Sequence, residues 1–341
     1  MEPALLVPRH RGEEVRRILV ELGRIRLDLE IRHEGERLAF PLEPGPALPP
    51  DLGETSEREF RPVARSQPAD YRDLVRGSAE ERARLPRSFD VVGDIVLIRL
   101  PDDQLDRGPE IGAALLRFVP GARLVGADHG VHGRERRRHI ERLAGSGGWR
   151  TRHRENHAEL EVDLERAYFS PRLAREHALV ASAVGSGERV YDLCCGVGPF
   201  AVQIALAGKA TRVVAVDSNR DAIDLVRATI DRYALGGRVE AVEADVEEFV
   251  AAHPAADRVV LNLPHEGIKY LPSVARAVAS AGHLHFYEVV PRAELEHRAE
   301  AIVSTLGEGA PWSVVEWHVV HPYSPASDLV SMTFSRGPER N

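Results

Sequence analysis

From about Arg175 onward, short apolar runs alternate with amphipathic stretches, and this alternation constrains the fold more than any other feature of the chain. Val190-Tyr191-Asp192-Leu193, Arg212 to Asp217, Val239 to Val242 and Arg258 to Asn262 have the length and β-branched content of buried strands. Helical periodicity lies between them, most clearly from Arg220 to Ala234. Parallel strands need long crossovers, and those crossovers cover both faces of the sheet. The pattern therefore predicts an α/β fold with a doubly covered parallel sheet and a ligand site at the carboxyl ends of its strands.

The 341 residues are enough for two to three domains at roughly 150 residues each. Residues 1–42 read as a small α/β module: an apolar run from Ala4 to Val7, then Val15, Ile18, Leu19 and Leu22 at helical spacing. Alternating sequence from Leu27 to Ile31 and a second strand from Arg37 to Leu42 follow. Residues 43–70 are rich in Pro, Gly and charge and read as a linker. Residues 71–165 read as a middle α+β domain, with strands around Asp90 to Leu100 and a helix near 107–118, and residues 166–341 as the parallel-sheet domain.

Charge and cysteine content exclude several classes. A net charge of −8 rules out a uniformly basic nucleic-acid coat, yet the cations are nearly all Arg, the side chain suited to phosphate and base edges. Cys194 and Cys195 are adjacent, so neither a disulfide framework nor a cysteine-based zinc set is expected. Five His lie between His129 and His157, including His153 and His157 at i,i+4, but without supporting ligands a metal site is not expected. The N-terminus lacks the order of a secretory signal, and no window resembles a membrane span. A cytoplasmic, monomeric protein with no membrane partner is the expectation.

The first buried run ends in Asp192-Leu193-Cys194-Cys195-Gly196-Val197-Gly198-Pro199-Phe200. Gly196 and Gly198 let the backbone turn sharply and approach a ligand. No third glycine completes the dinucleotide fingerprint. Asp217 ends the next strand, suited to ribose hydroxyls, and Asp245 follows the third. Each aspartate alone could be a loop or helix cap. Together with the glycine turn they indicate a nucleoside ligand; the arrangement resembles that of the class I S-adenosylmethionine-dependent methyltransferases, with a nicotinamide-cofactor enzyme as the rival. Asn262-Leu263-Pro264-His265 closes the fourth strand and offers an amide that both donates and accepts beside a fixed backbone. Upstream, Ser170 reads as an N-cap and Pro171 as the first helical position, which puts Glu176 in the second turn of a helix, where an ion pair with Arg172 is its simplest role.

Tyr168-Phe169-Ser170-Pro171-Arg172-Leu173 with Glu176, the Asp192 to Phe200 turn and Asn262-Leu263-Pro264 closely resemble the archaeal/eukaryotic-type tRNA (guanine-37-N1)-methyltransferases. Leu6-Val7-Pro8 with Gly12 to Arg17, Ser88 to Ile95, His153-Arg154-Glu155-Asn156 and Tyr323-Ser324-Pro325 also have counterparts there, so the resemblance spans nearly the whole chain. It implies a Rossmann-like class I methyltransferase sheet, S-adenosyl-L-methionine as cofactor and tRNA with guanosine at position 37 as substrate. By resemblance, Asp192, Gly196, Gly198, Pro199, Phe200, Asp217, Asp245 and Asn262 border the cofactor. Glu176 takes the general base's place, Arg136 that of an arginine stabilising charge on O6, and Asn262, Pro264 and Tyr168 border the guanine. Guanine N1 carries a proton in its neutral form, so a base is chemically needed before N1 can attack a methyl group.

In the same reading, residues 1–42 contact a remote part of the tRNA, and Arg134, Arg137 and Arg138 either neutralise phosphates or form a solvated face. The nearest alternatives are a wybutosine-pathway transferase, which methylates a tricyclic intermediate or moves the aminocarboxypropyl group, and a non-catalytic tRNA-binding relative.

Overall fold

A computed structural model of the chain describes residues 2–26, 28–46, 48–61, 68–133, 136–307 and 311–338. They divide into two compact units, Met1–Ala69 and Asp70–Asn341. Among the described residues, no helix is long and apolar enough to cross a membrane.

The first unit contains β1 (Glu2–Pro8), α1 (Gly12–Glu21), β2 (Arg32–Glu34), β3 (Arg37–Pro41) and β4 (Glu54–Arg58), with the strands in the order β2-β3-β1-β4. Val15 and Leu19 of α1 bury against Leu5, Val7 and Phe40, as the helical spacing requires, whereas Leu22 lies past the helix end and is exposed. The strand expected from Leu27 to Ile31 instead begins at Arg32; Leu27 lies outside the described residues.

Residues 43–70, expected as a linker, contribute β4, which pairs antiparallel with β1, and the buried Leu52. Proline-rich composition signals extended backbone, and an edge strand is also extended. The sequence Glu54-Thr55-Ser56-Glu57-Arg58 is polar in the way that protects a sheet edge from further pairing.

The second unit opens with α2 (Ala79–Ala83), β5 (Asp90–Val92), β6 (Ile95–Ile98), α3 (Gly108–Phe118), β7 (Leu124–His132) and β8 (Arg137–Gly145). The strands form a sheet in the order β5-β6-β7-β8, with β6 and β7 parallel because α3 crosses between them. Ile111, Ala114 and Leu115 of α3 share a core with Val96, Ile98 and Val125.

The hairpin β9 (Arg150–Glu155) and β10 (Ala158–Asp163) follows, then α4 (Ala174–Ala183), β11 (Arg189–Leu193), α5 (Pro199–Ala207), β12 (Arg212–Asp217) and α6 (Arg220–Arg232). The chain ends with β13 (Val239–Glu243), α7 (Val246–Ala252), β14 (Ala256–Leu261), α8 (Leu271–Ala277), β15 (Val278–Pro291), α9 (Leu295–Thr305), β16 (Trp312–Pro322) and β17 (Ser327–Arg336).

The expected boundary at residue 165 differs from the packing. The backbone N–H groups of Glu159 and Glu161 on β10 donate to Tyr233 Oη at 2.7 Å and Thr229 Oγ1 at 3.0 Å, beside and on α6. Leu160 and Val162 are buried in the same core as α5 and α6. The hairpin thus covers the large sheet's helices, and side chains satisfy backbone donors that no further strand pairs.

The large sheet has the order β13-β12-β11-β14-β15-β17-β16. Strands β11 to β15 are mutually parallel, and β17 runs antiparallel between β15 and β16. This bears out the doubly wound α/β expectation and brings Asp217, Asp245 and Asn262 to one edge. There they meet the Cys194–Gly198 turn.

Candidate active site

The turn after β11 is built from backbone conformations that favour glycine. Gly196 has φ +54° and Gly198 φ +75°, and Cys194 also sits at φ +60°. A Cβ on Gly196 would approach the Tyr168 carbonyl oxygen to 2.9 Å, so only glycine lets this turn lie against the Tyr168 segment. Pro199 occupies the first turn of α5.

The three aspartates each accept a backbone donor. Asp192 Oδ2 accepts from Ala201 N–H at 3.0 Å. Asp217 accepts from Gly196 at 2.8 Å and Asn219 at 2.9 Å, and Asp245 from Glu247 at 2.8 Å. Capping and ligand-facing roles therefore coexist, because Asp217 and Asp245 also line a cavity of about 80 Å³. Gly196, Arg136, Tyr168, Asn262 and Pro264 line it too, with Cys194, Ser218, Leu263, Glu266 and Tyr270.

Asp192, Gly198, Pro199 and Phe200 do not line this cavity. Gly198 backs onto Val226, and Phe200 is buried against His177 and Tyr287. Asp192 is fully buried, and desolvation, opposed by the Ala201 N–H and reinforced by Asp217, pushes its carboxyl up to about 7. A carboxyl raised in the folded state destabilises the fold increasingly as pH rises from its ordinary value near 3.8 towards 7. D192N removes that titration. The stability difference between D192N and the parent is therefore expected to move in the variant's favour between those pH values and to level off above them, as read by thermal melting across a pH series.

A larger cleft of about 510 Å³ adjoins this site. Its walls come from Ser88, Phe89, Asp90 and Arg99 in and beside β5 and β6, Tyr168, Arg172 and Leu173 before α4, and His321, Tyr323 and Ser324 near the β16–β17 turn. Arg136, Tyr168, Asn262 and Pro264 line the cleft as well as the small cavity, so four of the five residues expected around the target base stand at one junction.

Arg136 lies between β7 and β8 at φ +51°, with its guanidinium carbon 4.8 Å from the Tyr168 ring centre. Its Nε, like Asn262 Oδ1 and Asp192 Oδ1, is buried without a hydrogen-bond partner among the described residues. Arg138 is instead a structural side chain: it pairs with Asp128 and donates to the Phe169 carbonyl at 2.8 Å. Arg137 pairs with Asp221 at 3.2 Å, and Arg134 lies outside the described residues.

Glu176 is in the first turn of α4, not the second, because a 3-10 turn, Pro171–Leu173, precedes the helix; Ser170, at the start of that turn, makes no cap hydrogen bond among the described residues. The expected Glu176–Arg172 pair is absent. Arg172 instead pairs with Asp90 of β5 at 2.9 Å, while Glu176 turns inward and is 3% exposed. Its Oε1 lies 2.9 Å from His318 Nε2, and its Oε2 accepts from Tyr287 Oη at 3.3 Å. Its carboxylate lines neither cavity; Leu173 just before α4, Val289 of β15 and Leu329 of β17 line the cleft. Neither His318 nor Tyr287 was marked by any motif. His153, considered for metal, is lowered in pKa by burial and accepts from Gly93 N–H at 3.2 Å.

The TRM5/TYW2 methyltransferase domain family matches residues 151–308, and the TYW2 N-terminal domain family matches residues 71–148. A tRNA (guanine(37)-N(1))-methyltransferase Trm5b of Pyrococcus abyssi is 34% identical over 86% of this chain and 86% of its own length. The chain belongs to the TRM5/TYW2 family of class I S-adenosylmethionine-dependent methyltransferases. The crystal structure of wild-type Trm5b from Pyrococcus abyssi superposes with a TM-score of 0.82 at 30% identity, covering 99% of this chain and 100% of that one. The structure of a complex of aTrm5 with tRNALeu superposes at 0.73 with 26% identity, covering 97% and 99% respectively. The TRM5/TYW2-type domain match begins at residue 151, within β9, in agreement with the packing of the hairpin on α6.

Proposed function

We propose that this protein transfers the methyl group of S-adenosyl-L-methionine to N1 of guanosine at position 37 of tRNA. The observation that carries the reading is the shared wall of Arg136, Tyr168, Asn262 and Pro264 between a cavity at the strand ends and an open cleft. A transfer reaction needs its donor and acceptor to meet across such a junction.

The residues at the strand ends suit the cofactor. Asp217 offers oxygens for ribose hydroxyls, Asp245 on the same cavity wall serves the adenine in this reading, and the buried Oδ1 of Asn262 is an acceptor for an N–H donor. Seating the whole molecule requires the small cavity to open further. The cofactor supplies an electrophilic methyl group on a sulfonium.

In this reading Asn262 and Pro264 border the guanine edge, and Tyr168 packs against Arg136 to shape the same wall. A base taken from an anticodon stem-loop must be flipped out to reach the cleft. Arg136 then faces the O6 side, where negative charge grows as N1 loses its proton. Glu176 is the general base; reaching N1 requires its carboxylate to exchange the His318 and Tyr287 contacts for the N1–H. Residues 1–69 form a separate folded unit for contacting another part of the tRNA, and the Arg side chains on the cleft wall make binding salt-dependent.

The TYW2 description of the family matching residues 71–148 keeps a second reading in play, aminocarboxypropyl transfer from the same cofactor. The two differ in which carbon leaves sulfur. Incubating tRNA with cofactor labelled either in the methyl group or in the carboxyl group separates them: methyl label alone is expected in the tRNA, and carboxyl label in the tRNA would replace this reading by the second.

A further inference from the structure

Glu176 and His318 are 142 residues apart in sequence, yet their side chains meet at 2.9 Å. The carboxylate is 3% exposed, while the His318 side chain, on the edge strand β16, is 41% exposed. The imidazole therefore connects a buried acid to solvent. Tyr287 on β15, the other contact of Glu176, is fully buried and its pKa is held well above the ordinary phenol value, mainly by desolvation and then by Glu176 itself. It remains a donor and offers no exit for a proton. From β17, Ser331 contributes a hydroxyl to Tyr287 and stands opposite both Tyr287 and His318 in the strand register. The nearby buried pair His177 and Glu155 engage each other at 2.7 Å and Gln203, away from Glu176.

We propose that His318 discharges the catalytic base, accepting from Glu176 the proton taken from guanine N1 and passing it to water. The proposal rests on the reading of Glu176 as that base. Methylation of N1 releases one proton. As the N1 proton moves to a Glu176 oxygen, the N1 electron pair bonds the methyl carbon and both electrons of the broken carbon–sulfur bond stay on sulfur. Glu176 is then a neutral acid. His318, with its ring proton on Nδ1, accepts the acidic proton at Nε2, which restores the carboxylate and forms an imidazolium. The imidazolium loses its Nδ1 proton to water, and exchange with solvent while Glu176 is turned to the next N1 moves the remaining ring proton from Nε2 back to Nδ1, which completes the cycle. Without this step, a buried acid has to shed its proton unaided before the next turnover, so His318 acts after the chemical step.

The timing supplies the test. Pre-steady-state methyl transfer is followed over several turnovers with the full chain, labelled S-adenosylmethionine and a G37 tRNA transcript, for the parent, E176Q, H318Q and H318A. H318Q retains an amide donor near the former Nε2 but cannot relay a proton, and calorimetric cofactor binding verifies the fold of each variant. H318Q and H318A are expected to complete the first turnover near the parent rate and then to run about tenfold or more slower. Added imidazole is expected to restore the later turnovers of H318A. Later turnovers at the parent rate would overturn the relay. A first turnover slowed in H318A and unmoved by imidazole would also overturn it, marking His318 as structural. Loss of the first turnover in E176Q, together with either of those results, leaves the base in place without the relay; an unaffected E176Q removes the base itself.

Discussion

E176Q is expected to lower the first-turnover rate of methyl transfer by about 10²–10⁴-fold, the usual contribution of a positioned general base, with little change in cofactor affinity. The glutamine is close in shape to the glutamate, so the contacts at His318 Nε2 and Tyr287 Oη can be retained in part. What it loses is the capacity to hold the N1 proton. Because the carboxylate lines neither cavity, a direct effect on cofactor binding is not expected. Rapid-quench measurement of the first turnover, paired with calorimetry of cofactor binding, separates the two quantities. A first turnover at the parent rate removes Glu176 from the mechanism.

R136A is expected to lower the same rate by about 10²–10³-fold, the scale associated with removing one donor from a developing oxyanion. Arg136 stands at the junction of cavity and cleft, against the Tyr168 ring, with its Nε buried and unpartnered among the described residues. Charge stabilisation that grows only in the transition state affects the chemical step more than ground-state binding. The loss should therefore appear in kcat at saturating tRNA, with a smaller change in KM. A defect confined to KM would make Arg136 a tRNA-binding residue instead.

Much of the sheet was legible because parallel strands covered on both faces read as apolar runs, as in Arg212–Asp217 and Ala256–Leu261. The last three strands were less so: β15 includes the polar, glycine-containing stretch around Ser280 and Gly282, and β16 is an edge strand with register shifts. The glycine turn and the strand-end aspartates were local signals and appear where spacing put them. Arg136 was not local. Nothing in an Arg-rich turn distinguishes it from buried Arg138 or from Arg137, and only resemblance to a family singled it out.

Glu176 shows a different limit. Helical spacing offered it Arg172, but Asp90 from another sheet takes that arginine, and the partners of the carboxylate lie 111 and 142 residues downstream. Contacts of that separation leave no periodicity to read. The linker was misjudged for a third reason: polar extended sequence serves both a free tether and an edge strand, and only the pairing of Glu54–Arg58 with β1 decides between them.

The most direct test of the account is nucleoside analysis of position 37 after incubation of the full chain with S-adenosylmethionine and unmodified tRNA transcripts that carry either guanosine or adenosine there. The account predicts 1-methylguanosine at position 37 of the first transcript and no methyl group at that position in the second. A methyl group on another atom or another nucleotide, or equal modification of both transcripts, would contradict it.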